Sequence, residues 1–176
     1  MRTILTVLLC SGALFAAGDN SGRRAPGFAL PDSKFQVYDL ADYRGKIVVL
    51  EFMQTSCGHC APFADVLERV QQKYGDKVAV LAVANSAGDN LNSVAQFIAG
   101  HGITYPILFD AGQMAYSYLL RMRFDTPHAF LIDASGTIRN DWDYSLLTRD
   151  IFEGNGLMSE IDSLLPGKPA PQKTKK

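Results

Sequence analysis

The sequence predicts one α/β domain, a mixed central sheet flanked by helices with a β-hairpin extension at its N-terminal end, and three observations lead there. A continuous apolar run, Ile47–Met53, is followed by a segment of helical periodicity and then by a second apolar run, Val78–Val83. Phe130-Leu131-Ile132-Asp133 and Thr137-Ile138-Arg139 flank Ala134-Ser135-Gly136, the pattern of an antiparallel hairpin. With 176 residues, 47% of them hydrophobic and 20% charged, the chain can bury a core without a framework of several disulfides. Its three cysteines therefore need another explanation.

Residues 1–18 have the form of an export signal. Arg2 gives a positive start, Ile4 to Phe15 is almost wholly apolar, and Ala16-Ala17-Gly18 supplies small residues for a signal peptidase. The apolar run is too short for a comfortable transmembrane helix. The expected location is periplasmic or otherwise extracytoplasmic, with cleavage after Gly18 removing Cys10. Acylation of Cys10 is the less favoured fate, because bulky Leu9 stands where a small residue is expected. Residues 19–165 form the domain, and residues 166–176, PGKPAPQKTKK, a basic disordered tail. Of the 17 basic residues Arg2 lies in the signal and four lysines in the tail, which leaves 12 against 18 acidic ones in the domain. An acidic body excludes nucleic acid as a partner.

Within the domain, Ala25 to Arg44 is rich in turn formers, and Phe28, Leu30, Val37 and Leu40 are spaced for a short hairpin laid on the core. Ile47–Met53 suits a central strand buried on both faces, although it contains Glu51. A helix is predicted from Cys57, with Phe63, Val66, Leu67, Val70 and Tyr74 on its buried side and Pro62 tolerated in its first turn. Gly75 or Asp76 ends it, and Val78–Val83 returns as a parallel strand after a right-handed crossover. A second helix spans Asn90–Ala99 with Leu91, Val94, Ala95 and Ile98 on one face, and a third spans Gln113–Leu120. Phe130–Asp133 and Thr137–Arg139 form the hairpin. Leu146–Leu165 is the last helix, loosened around Gly154 and Gly156.

The chemistry concentrates in Cys57-Gly58-His59-Cys60. Once Cys10 is removed, these two cysteines remain in a compartment where disulfides persist. So small a loop is no structural staple, so the pair serves redox chemistry or forms half of a metal site. At a strand-to-helix junction the free N–H groups and the helix dipole favour a Cys57 thiolate, and cysteines so placed have pKa values of about 3.5 to 7.5 against about 8.5 for a free thiol. A cationic or hydrogen-bonding His59 would add to this. Helical geometry gives Cys57 the attacking role and Cys60, one turn inward, the resolving one. Cys60 must lose a proton to attack, and Glu51 is its candidate acceptor, directly or through water. The other reading of Glu51 is an acid at a strand edge reaching solvent.

Four stretches in order, APGFALPD, DLADYRGKIVVLEF, CGHC and TPHAFLIDASG, resemble the TlpA/ResA-like thiol–disulfide oxidoreductases of the thioredoxin superfamily, a redoxin or AhpC/TSA-like group. The resemblance covers most of residues 25 to 165. It implies a thioredoxin fold with an N-terminal β extension and an insertion around the second helix. It matches Glu51 to the family's buried acid and Pro127 to its cis-proline, which lies opposite the motif and leaves the backbone of Thr126 to pair with an extended substrate. It further implies thiol or disulfide protein substrates, apocytochrome c or folding exported proteins among them, with a membrane thiol relay as redox partner. No metal, flavin or nucleotide cofactor is expected. Ser56 stands where the family usually has Trp, and the Gly-His dipeptide resembles that of oxidising or isomerising members.

Two other functions fit less well. A thiol peroxidase of the peroxiredoxin kind has Thr three residues before its reactive cysteine and a proline before that, whereas this chain has Gln54 and no proline in that strand. A Sco-like copper-binding module would use two thiolates and an imidazole. That family has C-x-x-x-C and a histidine where this chain has Asp125, and Pro127 stands in the way. His128 is either a site residue or a satisfied histidine, and His101 marks a helix end. Trp142 and Tyr144 either form an exposed lip or pack against the last helix.

Overall fold

Strict alternation along the central strand decides how the two layers form. The computed structural model describes residues 18–85, 87–110, 112–119 and 125–166, so the predicted signal and the predicted tail, apart from Gly18 and Pro166, lie outside the described residues, as does Leu120. Strand β3 (Ile47–Met53) is buried at every position, and its odd-numbered and even-numbered side chains enter two separate cores. Fully burying a Leu or Phe contributes about 1.5–3 kcal/mol, which explains why an apolar run of this length becomes the centre of the sheet.

Around it lie β4 (Val78–Ala84) and β5 (Ile107–Phe109), both parallel, and β6 (His128–Ile132) and β7 (Ile138–Asp143), paired antiparallel. The order across the sheet is β5-β4-β3-β6-β7. On one face pack α1 (Cys60–Tyr74), α2 (Leu91–His101), α4 (Arg149–Glu153) and α5 (Asn155–Leu164), and on the other α3 (Gln113–Leu119) with the N-terminal segment. The predicted hairpin is β1 (Ala29–Pro31) paired with β2 (Val37–Asp39), followed by a 3-10 turn over Leu40–Tyr43.

The N-terminal segment ties down along the sheet. Gly22 donates to Ile138, Ala25 to Gly136, and Ile138 back to Arg23, so residues 22–25 lie along the start of β7. Asp32 bridges Leu108 of β5 at the opposite edge.

Several elements differ from expectation. Helix α1 begins at Cys60, not Cys57, because Cys57-Gly58-His59 forms a tight turn in which the Cys60 N–H already bonds the Cys57 carbonyl at 3.2 Å. Glycine is a poor helix former, and Gly58 favours this turn. Helix α2 starts where Asn90 caps it in a reciprocal box with Ser93 and continues to His101, so its buried face is Val94 and Phe97 while Leu91 is exposed. Strand β5 was not expected: only three residues long, it is held to β4 by the Ala82 N–H on the Pro106 carbonyl.

The last helix is two helices divided at Gly154, whose φ of 103° suits glycine alone and whose missing Cβ would meet Val66 Cγ1 at 2.9 Å. Gly154→Ala is therefore expected to lower unfolding free energy by about 2 kcal/mol in urea titrations. An unchanged midpoint would mean that the α4–α5 junction shifts freely.

Candidate active site

Strand β3 delivers its last residues into a loop that is fixed before it reaches the cysteines. Asp89 accepts hydrogen bonds from the Thr55 N–H at 3.0 Å and the Thr55 hydroxyl at 2.7 Å, and the Cys57 N–H donates to the Gln54 carbonyl. The Cys57 sulfur then lies between two backbone groups. The Cys60 N–H donates to it at 3.2 Å, and its own thiol donates to the Thr126 carbonyl at 3.3 Å. The Thr126–Pro127 peptide bond is cis. Both sulfurs are free thiols, Cys57 half-buried and Cys60 wholly buried. The expected exposure difference is present, although Cys60 is the first helical residue rather than one turn inward.

Glu51 does not reach solvent. It sits on β3 between Ala82 and Ala129, on the same face as α1, and it is 1% exposed. Its Oε1 atom has no hydrogen-bond partner. Burial, and secondarily the charge of Cys57, hold its carboxyl well above the usual carboxylate range. Burial also pushes the Cys60 thiol up, with Glu51 adding to the effect.

His59 is exposed and stacks on Tyr144, ring centroids 4.0 Å apart and planes 18° from parallel. The Tyr144 N–H donates to the Pro127 carbonyl at 3.3 Å, and its ring meets Phe152 edge-on. Tyr144 thus joins the motif, the cis-proline loop and α4, so lip and packing are one residue's two uses. Trp142, also half-buried, packs against the same core. Beside the motif a cleft of about 210 Å³ is lined by His59, Pro62, Tyr144, Leu146 and Arg149. A larger cleft, about 680 Å³, lies between the N-terminal hairpin and α3, lined by none of these site residues.

His128, although it follows Pro127, turns to the opposite face of the sheet. It is 1% exposed, bonded through Nδ1 to Asp143 at 2.5 Å and through Nε2 to Asp141 at 3.2 Å. Asp141 also accepts from the Asn20 backbone at 3.0 Å and side chain at 2.8 Å. Burial draws the His128 pKa down, but the bonds and charges of the two aspartates outweigh it and leave it above its ordinary value. Burial likewise opposes ionisation of Asp141, and its bonds to His128 and Asn20 prevail and lower its pKa. His101 ends α2, 3.4 Å from Asp65.

Sequence reasoning missed Tyr144 as the partner of His59 and the aspartates as partners of His128. The signal was present: in Asp141-Trp142-Asp143-Tyr144 a period of two puts both acids on one face and both aromatics on the other. Among the described residues no cluster of three or more His, Cys, Asp or Glu is arranged to hold a metal ion, and no helix is long and apolar enough to cross a membrane.

Comparison with known proteins points the same way as this geometry. Residues 21–141 match the AhpC/TSA family. The thioredoxin-like protein YneN of Bacillus subtilis is 32% identical over 124 residues, which is 70% of this chain and 71% of that protein. The thiol-disulfide oxidoreductase ResA of Geobacillus thermodenitrificans is 32% identical over 152 residues, covering 79% of this chain and 83% of ResA. Among solved structures, a Chlorobium tepidum protein assigned as the thiol:disulfide interchange protein DsbE superposes with a TM-score of 0.66 at 28% identity, over 78% of this chain and 96% of that one. The five-stranded mixed sheet with its flanking helices and N-terminal hairpin is a thioredoxin fold.

Proposed function

The chain belongs to the AhpC/TSA family, as a thiol–disulfide oxidoreductase of the thioredoxin kind, and from that premise we propose that it exchanges disulfides with exported proteins through Cys57 and Cys60. One observation carries this: the half-buried Cys57 sulfur faces the Thr126 carbonyl and accepts the Cys60 N–H, while the Cys60 sulfur is sealed beneath it.

In the reducing direction the Cys57 thiolate attacks a substrate disulfide. That S–S bond breaks, its electron pair leaves with one substrate sulfur, which takes up a proton, and a mixed disulfide forms. Cys60 then gives its proton to the Glu51 carboxylate and attacks the Cys57 sulfur, so that the second substrate sulfur departs and the Cys57–Cys60 disulfide remains. The same steps reversed oxidise a dithiol. Burial of Glu51 next to both cysteines supports its proton-relay role, because a carboxylate whose pKa is raised above the usual range is a stronger proton acceptor than an ordinary one.

Pro127 has no N–H, and Thr126 presents its carbonyl toward the nucleophile, which supports pairing of an extended substrate segment at Thr126. The stacked pair His59 and Tyr144 borders the adjoining cleft and supports a place for His59 on the surface that receives the substrate. Export through residues 1–18, a working domain of residues 19–165 and a free basic tail of residues 166–176 belong to the same proposal, on the apolar and lysine-rich character of the two ends. Substrates are then exported proteins, apocytochrome c among them, and a membrane thiol relay resets the pair.

Cys57→Ser tests it. The initial rate of protein disulfide reduction should fall about a thousand-fold or more, with little change in melting temperature because Cys57 is only half-buried. Wild-type turnover in that variant would overturn the reading.

A further inference from the structure

Among the described residues, Glu51 Oε1 and the hydroxyl of Tyr105 are buried on the α1 side of the sheet without a hydrogen-bond partner. Tyr105 is 4% exposed and belongs to the same core cluster as Cys60, Ala82 and Ile107. Its placement follows from strand register. Glu51 pairs with Ala82, and Ala82 with Ile107, so these three side chains form one row across β3, β4 and β5. Tyr105 lies two residues before Ile107, where the Ala82 N–H holds the intervening Pro106 carbonyl at 3.1 Å. Residues two apart on an extended chain share a face, so Tyr105 enters the row's side of the sheet. In this register Tyr105 lies level with Val80 and Glu51 with Ala82, so the phenol approaches the carboxyl on a diagonal that passes between Val80 and Ala82, where the small side chain of Ala82 leaves it room.

A phenylalanine would fill the same apolar space without burying an unpartnered hydroxyl, which is costly. The hydroxyl therefore calls for a task. Burial raises the Tyr105 pKa, and the charges of Glu51, then Glu68, Asp65 and Cys60, raise it further, so the phenol stays a donor throughout the working pH range.

We propose that the Tyr105 hydroxyl is a positioning group for Glu51, donating a hydrogen bond to its carboxylate directly or through one buried water molecule while Cys60 resolves the mixed disulfide. The inference rests on the roles given above to Cys57, Cys60 and Glu51. In that step the Cys60 proton passes to Glu51, the Cys60 electron pair forms the bond to Cys57, and the bond from Cys57 to substrate breaks with its pair on the departing sulfur. A donor on the carboxylate favours its charged form against the burial that opposes it. The other titratable groups nearby are otherwise engaged. Glu68 is bonded to Thr104 and Gln72, and Asp65 lies beside His101 on the outer side of α1.

The experiment is stopped-flow reaction of the reduced protein with dithiobis(nitrobenzoate), recorded from pH 5 to 9. The first nitrobenzoate thiolate released reports attack by Cys57, and the second reports resolution by Cys60. Tyr105→Phe is expected to leave the first phase intact, to slow the second about tenfold near neutral pH, and to move its pH profile about one unit upward. Glu51→Gln should slow the second phase and flatten its profile, and the double variant should match Glu51→Gln alone. A second phase in Tyr105→Phe with the wild-type profile, whatever its rate, overturns the inference, and so does a double variant slower than Glu51→Gln by the full single-variant factor. A first phase surviving in Cys57→Ser overturns instead the reading on which it rests.

Discussion

Cys60→Ser is expected to stop turnover after the first chemical step and to leave the protein covalently joined to its substrate. Cys57 keeps its position between the Cys60 N–H and the Thr126 carbonyl, because both bonds involve backbone groups that the substitution does not remove. Attack on a substrate disulfide should therefore proceed. Resolution has no sulfur to perform it, since Cys60 is the buried thiol beneath the mixed disulfide and serine is a far poorer nucleophile. Steady-state turnover should drop about a thousand-fold or more, and non-reducing mass spectrometry should find an adduct of protein plus one substrate chain. Turnover at the wild-type rate without an adduct would show that Cys60 takes no part. A hydroxyl in this apolar site should also lower stability by about 1–2 kcal/mol, too little to unfold an ordinary domain.

The second large effect concerns stability. His128→Ala leaves Asp141 buried with its cationic partner gone, and such losses cost about 3–5 kcal/mol. The pH dependence has a definite sign. The folded pKa of His128 is raised, so its contribution is fully present below about 6.5, the ordinary histidine value, and is lost as pH rises through the folded value. The folded pKa of Asp141 is lowered, so its contribution is present above about 3.9 and is lost as pH falls through the folded value. The network therefore stabilises most in mildly acidic solution. Glu51, buried with a raised pKa, also costs the wild type stability as pH rises, and it does so equally in the variant. The difference between the two proteins isolates His128, and it should shrink from pH 6 to pH 9 in urea titrations. Parallel curves across that range would refute the assignment.

How much of this was legible depended on whether a residue's partners are near in sequence or far. Strand β3 could be read because seven consecutive apolar or buried positions leave it one place, the centre of the sheet. The motif could be read because the cysteines carry their chemistry within four residues. The start of α1 could not, since it turns on a local competition between Cys57 as cap and Cys57 as first helical residue, which the Gly58 turn decides. Strand β5 could not, because three residues give no periodicity and its existence depends on pairing with β4. The two faces of β6 and β7 lay in plain alternation. Once Trp142 is set beside Ala129 on the side of α1, His128, Asp141 and Asp143 must share the other side, away from the cysteines.

The N-terminal segment has a consequence for how this molecule meets its own copies. An open sheet ends in two strands whose outward backbone groups invite another chain to add itself. Here residues 22–25 run along the beginning of β7, while Asp32 bridges the outer side of β5, itself only three residues long. A visiting strand must first displace covalently attached competitors at both borders. Each margin of the sheet thus already carries a segment of the chain itself, β7 at its beginning and β5 through one bridge.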